Sequence, residues 1–358
     1  MPDSDDADFR AAISAQVTAH LDAMARRLEP LGADAVRLLD GARTATAGGK
    51  RLRAAFCWWG YRAVRPEVAD ETALLRACAS LELLHASALV HDDYMDASDT
   101  RRGRPSTHRA LETEHRAAGW GGRPEQYGAA GAILLGDLLL SWSDELLRRC
   151  GLEPERVSAA LDVLDLCRTE VIAGQFLDIS VQARGLEDVS EAMRVLRYKS
   201  AKYSVEQPLH LGAALAGADA ATQDALGAFG LPLGEAFQLR DDLLGVFGDP
   251  AVTGKPSGDD LVEGKQTVLV ALALDGLRAA GRPGDADELA AALGRPHDAA
   301  TLRRLQRLIV ESGAQQQVED AIGELVALSD AALDRAGLDD EATRALRALG
   351  AAATSRSA

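Results

Sequence analysis

From Glu71 to Asp93 the chain is mostly apolar at helical spacing, and the run closes on Asp92, Asp93 and Asp96 before breaking at Gly103 and Pro105. That period and length commit the middle of the chain to a helix. Positions i and i+4 share a helical face, so Asp92 and Asp96 point the same way and Asp93 is turned off by about 100°. Carboxylates at a helix C-terminus oppose the macrodipole, so the stretch needs a compensating cation. A hard divalent ion such as Mg2+, held by one or two carboxylates plus substrate phosphates, meets that need. Arg101 and Arg102 follow with forked donors suited to phosphate oxygens. Taken alone, the pattern favours a solvated acidic helix end beside a basic loop. Its near-repetition downstream changes that reading.

Asp241 and Asp242, in Phe237-Gln-Leu-Arg-Asp-Asp-Leu-Leu-Gly245, close a second apolar run before a glycine-marked break, and Gln238 shares the face of Asp241. Two aspartate pairs at helix ends can face each other across a bundle core, where helical proteins build metal sites. Cations are distributed to match: Lys50 and Arg53 after Gly48-Gly49, Lys199 and Lys202, and Lys255 and Lys265 flanking the second loop. Singly each is an ordinary surface charge. As a set they are cations beside acidic motifs. His85, two turns before Asp92, reads as a satisfied core residue or as a diphosphate contact. Gln175 and Asp178 are an i, i+3 pair that either supports a metal site or is a buried hydrogen-bonded pair. His91, His108 and His115 read as structural or surface residues. The phosphate-loop fingerprint fails, because Arg51 follows Gly49-Lys50 and Pro256 follows Gly254-Lys255, and the dinucleotide fingerprint fails because no Gly-x-Gly-x-x-Gly follows a strand.

A net charge of −16, from 39 basic and 55 acidic residues, argues against a nucleic-acid partner. Cys57, Cys78, Cys150 and Cys167 lack Cys-x-x-Cys spacing and read as buried thiols of a reducing compartment. The acidic N-terminus has no signal-like core, and no uninterrupted apolar run reaches membrane-spanning length. A cytoplasmic protein with no transmembrane segment is expected.

The fold class read from the pattern is all-α: a single large helical bundle over residues 1–358, with a central active-site cavity, residues 1–8 disordered and 280–358 as C-terminal scaffold helices. Helical spacing covers residues 9–24, 33–39, the fifties, 71–93, a helix through Leu134 and Leu139, 153–182, 188–215 and 219–230, with Pro232 opening another over 232–247. Residues 249–264 read as a loop, followed by three or four alanine/leucine helices. No alternating strand is evident.

Over nearly the whole chain, and in motif order, these residues resemble the trans-isoprenyl diphosphate synthases, the polyprenyl synthetase family, most closely its bacterial geranylgeranyl diphosphate synthases. The resemblance implies that Gly49, Lys50, Arg53 and His85 contact isopentenyl diphosphate and that Asp92 and Asp96 bind Mg2+. Arg101 then contacts the allylic diphosphate and Arg102 the isopentenyl diphosphate. Lys199, Ser200, Gln238, Lys255 and Lys265 fall where the family places further allylic diphosphate contacts, with Lys199 counted among the catalytic groups, and Asp241 matches the second motif's metal ligand. Gly245 departs from the pattern, since many members have a third aspartate there. Three Mg2+ ions, a homodimer, and condensation by ionisation, C–C bond formation and proton loss are implied with it.

The face of Asp92 runs back through Ala88, Leu84 and Leu81, with Ser87 alongside. A growing prenyl chain descends that face in this reading. A bulky group at 87 or 88 stops it roughly 6–8 Å below Asp92, and Leu84 forms a partial floor at about 12 Å. Small residues at the gate favour geranylgeranyl diphosphate over shorter products, and Ser87→Phe is expected to shorten the product. The alternatives are a farnesyl or longer-chain synthase, a class I terpene cyclase on the same scaffold, and a non-catalytic modulator subunit.

Overall fold

The structure, a computed structural model, describes residues 7–185, 187–249 and 257–355. It divides into two compact units, residues 1–162 with 211–218, and residues 163–210 with 219–358. The all-α expectation holds. Among the described residues the only strands are a two-residue pair, β1 (Thr100–Arg101) and β2 (Arg104–Pro105), joined antiparallel.

In the first unit, α1 (Ala7–Leu28), α2 (Ala33–Thr46), α3 (Leu52–Val64) and α6 (Pro124–Arg148) pack around α4 (Glu71–Met95). Helix α4 is apolar on all sides, as a helix enclosed by others must be. Asp70 caps it by accepting the Ala73 N–H at 2.9 Å. By length and composition α4 is apolar enough to cross a membrane, although Arg76 and Glu82 interrupt its apolar run. Yet 78% of its most apolar window is buried inside the protein, the signature of a core helix. Gly136 on α6 lets the two helices approach closely: a Cβ there would collide with the His91 ring of α4. Helix α5 (Thr107–Ala118), a stretch for which the pattern predicts no element, packs on α6.

The second unit contains the greater part of α7 (Pro154–Arg184), then α8 (Val189–Val195), a π-helical segment (Leu196–Glu206), the start of α9 (Gln207–Ala216) and α10 (Ala220–Phe247). Short α11 (Asp259–Glu263) precedes α12 (Val268–Ala279), α13 (Pro283–Ala292), α14 (Ala299–Glu311), α15 (Ala314–Arg335) and α16 (Asp340–Thr354). Leu239, Leu243, Val246, Leu269, Leu274, Leu308 and Val318 sit at the centre of its core. Four expectations change here. The 188–215 helix is interrupted by the π-helical segment, α11 lies within the 249–264 stretch read as a loop, five helices rather than three or four follow Gly264 among the described residues, and Pro232 lies inside α10 instead of opening a helix. Proline removes one backbone hydrogen bond from a helix. Here the helix is held on both sides of it, because Gly230 and Gly234 bring α10 against the backbone of Glu206 and Ala201. Residues 1–6 lie outside the described residues, and α1 begins at Ala7.

Candidate active site

The first unit gathers the basic residues of the Gly48–Arg53 turn around the C-terminal half of α4. Gly48 and Gly49 have φ of 69° and 94°, and Arg51 adopts 55°, so the chain reverses sharply before α3. Glycine takes such angles without strain. A Cβ at Gly49 would lie 3.3 Å from Nη2 of Arg102, so the bare backbone lets that guanidinium lie over the turn. Arg102 also donates to the Ala47 carbonyl at 2.7 Å. Lys50 is exposed and Arg53 half-buried. A cavity of about 250 Å3 is lined here by Ala47, Gly48, Val90, Asp93, Arg101 and Arg102, among others.

Burial, followed by the charges of Arg53, Arg102, Arg101 and Arg51, pushes the His85 imidazole well below its usual pKa. Burial and the neighbouring Arg51 likewise lower Arg102. His85 is therefore a neutral ring inside a cluster of guanidinium groups, an arrangement suited to a polyanion. At the end of α4, Arg101 donates from Nε to Asp93 Oδ1 at 2.7 Å, and its Nη2 lies 3.7 Å from Asp92 Oδ2. Asp93, to which the sequence reading gave no role, is buried and anchors Arg101 beside Asp92. Asp92 lies in the last turn of α4 and Asp96 just after it, where its N–H donates to the Asp92 carbonyl at 2.8 Å, and each is only partly buried. Ser87 is 2% exposed and its hydroxyl donates to the Gly136 carbonyl of α6 at 2.7 Å. Ala88 is half-buried, and Leu84 and Leu81 are buried beneath it.

In the second unit the π-helical segment carries Lys199, Ser200 and Lys202. Gly174 of α7 lies so close that a Cβ would strike the Lys199 backbone nitrogen. Lys199 donates to Asp178 Oδ2 at 2.5 Å, while Lys202 reaches Glu170 at 2.6 Å. Gln207 fixes the other Glu170 oxygen at 2.9 Å. Asp178 thus serves as the carboxylate that holds Lys199. On α10, Gln238 donates to Asp242 Oδ1 at 2.8 Å, one turn on and on a different face from Asp241. Asp242 is buried, and its pKa is pushed well up by burial and by the nearby Asp260. The position at which many family members have a third aspartate is sterically occupied: a Cβ at Gly245 would overlap the Asp260 carboxylate. Lys265 lies 3.5 Å from Asp260 and 2.5 Å from Glu263. Lys255 lies outside the described residues.

Among the described residues, no three His, Cys, Asp or Glu side chains gather as a metal cage. The donor set still fits magnesium, which takes one or two carboxylates and draws its other ligands from water and substrate phosphates. Asp93, Asp260, Glu170 and the buried pair Arg51–Glu82 are the residues that sequence reasoning missed. Their partners are side chains 8 to 37 positions away in the chain, except for the neighbouring Asp260–Lys265 pair, so no local spacing announces them.

The polyprenyl synthetase family matches residues 38–309. The chain belongs to that family. A geranylgeranyl diphosphate synthase of Mycobacterium tuberculosis is 35% identical over 297 residues, covering 82% of this chain and 77% of the relative. A geranylfarnesyl diphosphate synthase of Aeropyrum pernix is 34% identical, covering 76% of this chain and 79% of its own. Among solved structures, a geranylgeranyl pyrophosphate synthase of Corynebacterium glutamicum, complexed with isoprenyl diphosphate and magnesium, superposes with a TM-score of 0.95 at 41% identity over 98% of this chain and 99% of that one. This polyprenyl synthetase is accordingly an all-α trans-prenyltransferase.

Proposed function

We propose that this polyprenyl synthetase condenses isopentenyl diphosphate with an allylic diphosphate and releases geranylgeranyl diphosphate. The observation that carries the reading is the clustering of Arg53, Arg101, Arg102 and neutral His85 beside the carboxylates that end α4. Gly49, Lys50, Arg53, His85 and Arg102 hold the diphosphate of the isopentenyl substrate. Arg101, Lys199, Ser200, Gln238, Lys255 and Lys265 serve the allylic diphosphate. Asp92, Asp96 and Asp241 are the ligands of three Mg2+ ions. Bound magnesium supplies positive charge that favours departure of diphosphate.

In the reaction the allylic C–O bond breaks and its electron pair leaves with the diphosphate. The π electrons of isopentenyl diphosphate form the new C–C bond, and the proton then lost passes to the released diphosphate. Arg101 and Lys199 are oriented by Asp93 and Asp178 before substrate arrives, so little reorganisation accompanies charge development. No protein nucleophile is needed. Ala88, small and half-buried above Leu84, leaves room for a chain beyond farnesyl length.

The chain acts as one catalytic domain and as a cytoplasmic homodimer in this reading. The buried cysteines Cys57, Cys78, Cys150 and Cys167, none of them in a disulfide, support the compartment. The exposed Ile133 and Leu134 on α6 support association. The test is incubation with Mg2+, isopentenyl diphosphate and dimethylallyl, geranyl or farnesyl diphosphate in turn, with products separated by chromatography. Twenty-carbon diphosphate is expected, and Asp92→Ala and Asp241→Ala should each cost about 10²–10³-fold in kcat, the scale seen when one stabiliser of developing charge is removed. Cyclic hydrocarbon, or full turnover in both variants, overturns the reading.

A further inference from the structure

In the first unit, the Arg51 guanidinium and the Glu82 carboxylate form an ion pair at 2.9 Å with 6% and 5% of their side chains exposed. The other guanidinium nitrogen of Arg51 donates to the Thr46 carbonyl at 2.9 Å and to the Ser14 hydroxyl at 3.2 Å. Arg51 also occupies the left-handed backbone region with φ 55°, a conformation that a non-glycine residue adopts at a cost. Stability is a poor explanation for such a device. A buried ion pair pays heavily for desolvation, and apolar replacements of similar volume often serve as well.

Geometry gives a better one. Arg51 lies between Lys50 and Arg53, and its inward turn fixes the path of the chain that presents both. Glu82 sits one turn before His85 on α4, so its carboxylate ties that turn to the helix bearing His85. The carboxyl-terminal end of α2 is drawn into the same knot through Thr46, whose hydroxyl donates to Ala42 at 2.8 Å. Three segments are thereby locked together behind the groups that meet one substrate. We infer that Glu82 and Arg51 are positioning residues for the homoallylic (isopentenyl) diphosphate, setting its affinity without touching it and leaving the allylic substrate's binding unaltered. The inference rests on the reading above, in which Lys50, Arg53, His85 and Arg102 receive that diphosphate.

The test uses the full-length enzyme with Mg2+ and both substrates. Glu82→Gln should raise the KM for isopentenyl diphosphate at least tenfold, with kcat and the KM for the allylic diphosphate changed less than about twofold; a tenfold change is about 1.4 kcal/mol. The paired replacement Arg51→Met with Glu82→Leu separates positioning from folding. Its thermal midpoint should stay near that of the wild type while the KM for isopentenyl diphosphate remains raised. An unchanged KM in Glu82→Gln, recovery of both stability and KM in the paired variant, or an equal rise in both substrates' KM overturns the inference. If Glu82→Gln does not fold, the paired variant decides alone. Lys50→Ala and Arg53→Ala serve as controls on the underlying reading: if they too leave the isopentenyl KM unchanged, it is the site assignment that has failed.

Discussion

His85 shows how a single residue reports on the charge around it. Burial first, and the guanidinium groups of Arg53, Arg102, Arg101 and Arg51 second, hold its folded-state pKa well below the ordinary value. In the unfolded chain it titrates near about 6.5. Below that pH the unfolded state binds a proton that the folded state refuses, so stability is complete above about 6.5 and falls as the pH drops toward the depressed folded value. Urea unfolding of the wild type and of His85→Gln at pH 7.5 and pH 5 should show the wild type losing more stability on acidification. His20, His108 and His210 are depressed by burial in the same sense, so only the difference between the two proteins isolates His85. Equal losses would refute the assignment. Gly245 makes an opposite kind of statement. Restoring the family's aspartate there forces its Cβ into the space of the Asp260 carboxylate. Gly245→Asp is expected to destabilise by about 1–3 kcal/mol, as overpacking does, and Gly245→Asp with Asp260→Gly should recover part of the loss in a thermal melt.

Among the elements, α4 is the one that sets product length in the proposed reading. Ser87 is turned into the contact with α6, so Ser87→Phe must first disrupt the hydrogen bond to Gly136 and the close packing of the two helices. Ala88→Phe is the cleaner test of the chain-length gate, because Ala88 is half-buried and one turn before Asp92. Its expected outcome is a shift of product from twenty carbons to fifteen or fewer, read by chromatography of the hydrolysed alcohols, with the wild-type distribution counting against the gate. The helix itself was legible in the sequence, since an apolar run at period 3.6 that ends on charge admits few other conformations. The break at Pro232 was misread because a proline's local cost is visible in sequence, whereas the glycine contacts that flank it in the continuous α10 are tertiary. The π-helical segment was invisible for a related reason: its wider turn leaves no distinct period, yet it is where Lys199 and Lys202 are presented to Asp178 and Glu170. The motif carboxylates and cations were readable as residue types at fixed spacing. Their anchors Asp93, Glu82 and Glu170 were not, because an ion pair between distant positions leaves no periodic trace.

At the scale of the whole molecule, a net charge of −16 repels the polyanionic substrates that the enzyme must bind. Local clusters therefore have to outweigh the overall field, as Arg53, Arg101 and Arg102 do around His85. In the proposed site the same balance governs magnesium. Asp92 and Asp96 offer one pair of carboxylates, and among the described residues no third His, Cys, Asp or Glu completes a cage. An ion held by so few protein ligands depends on diphosphate oxygens for the remainder, so metal and diphosphate should bind together far better than either alone. Ligands that bind only the folded state stabilise it by about 2.7 kcal/mol at a hundredfold excess over Kd. Mg2+ alone and inorganic pyrophosphate alone should each move the thermal midpoint little, and the two together should raise it by several degrees, with EDTA reversing the effect. Asp92→Ala should lose most of that joint shift while retaining the wild-type midpoint in buffer, since its carboxylate is only partly buried at the end of a helix and opposes the macrodipole. A full shift produced by Mg2+ without pyrophosphate would mean a preassembled metal centre and would rule out an ion completed by the substrate.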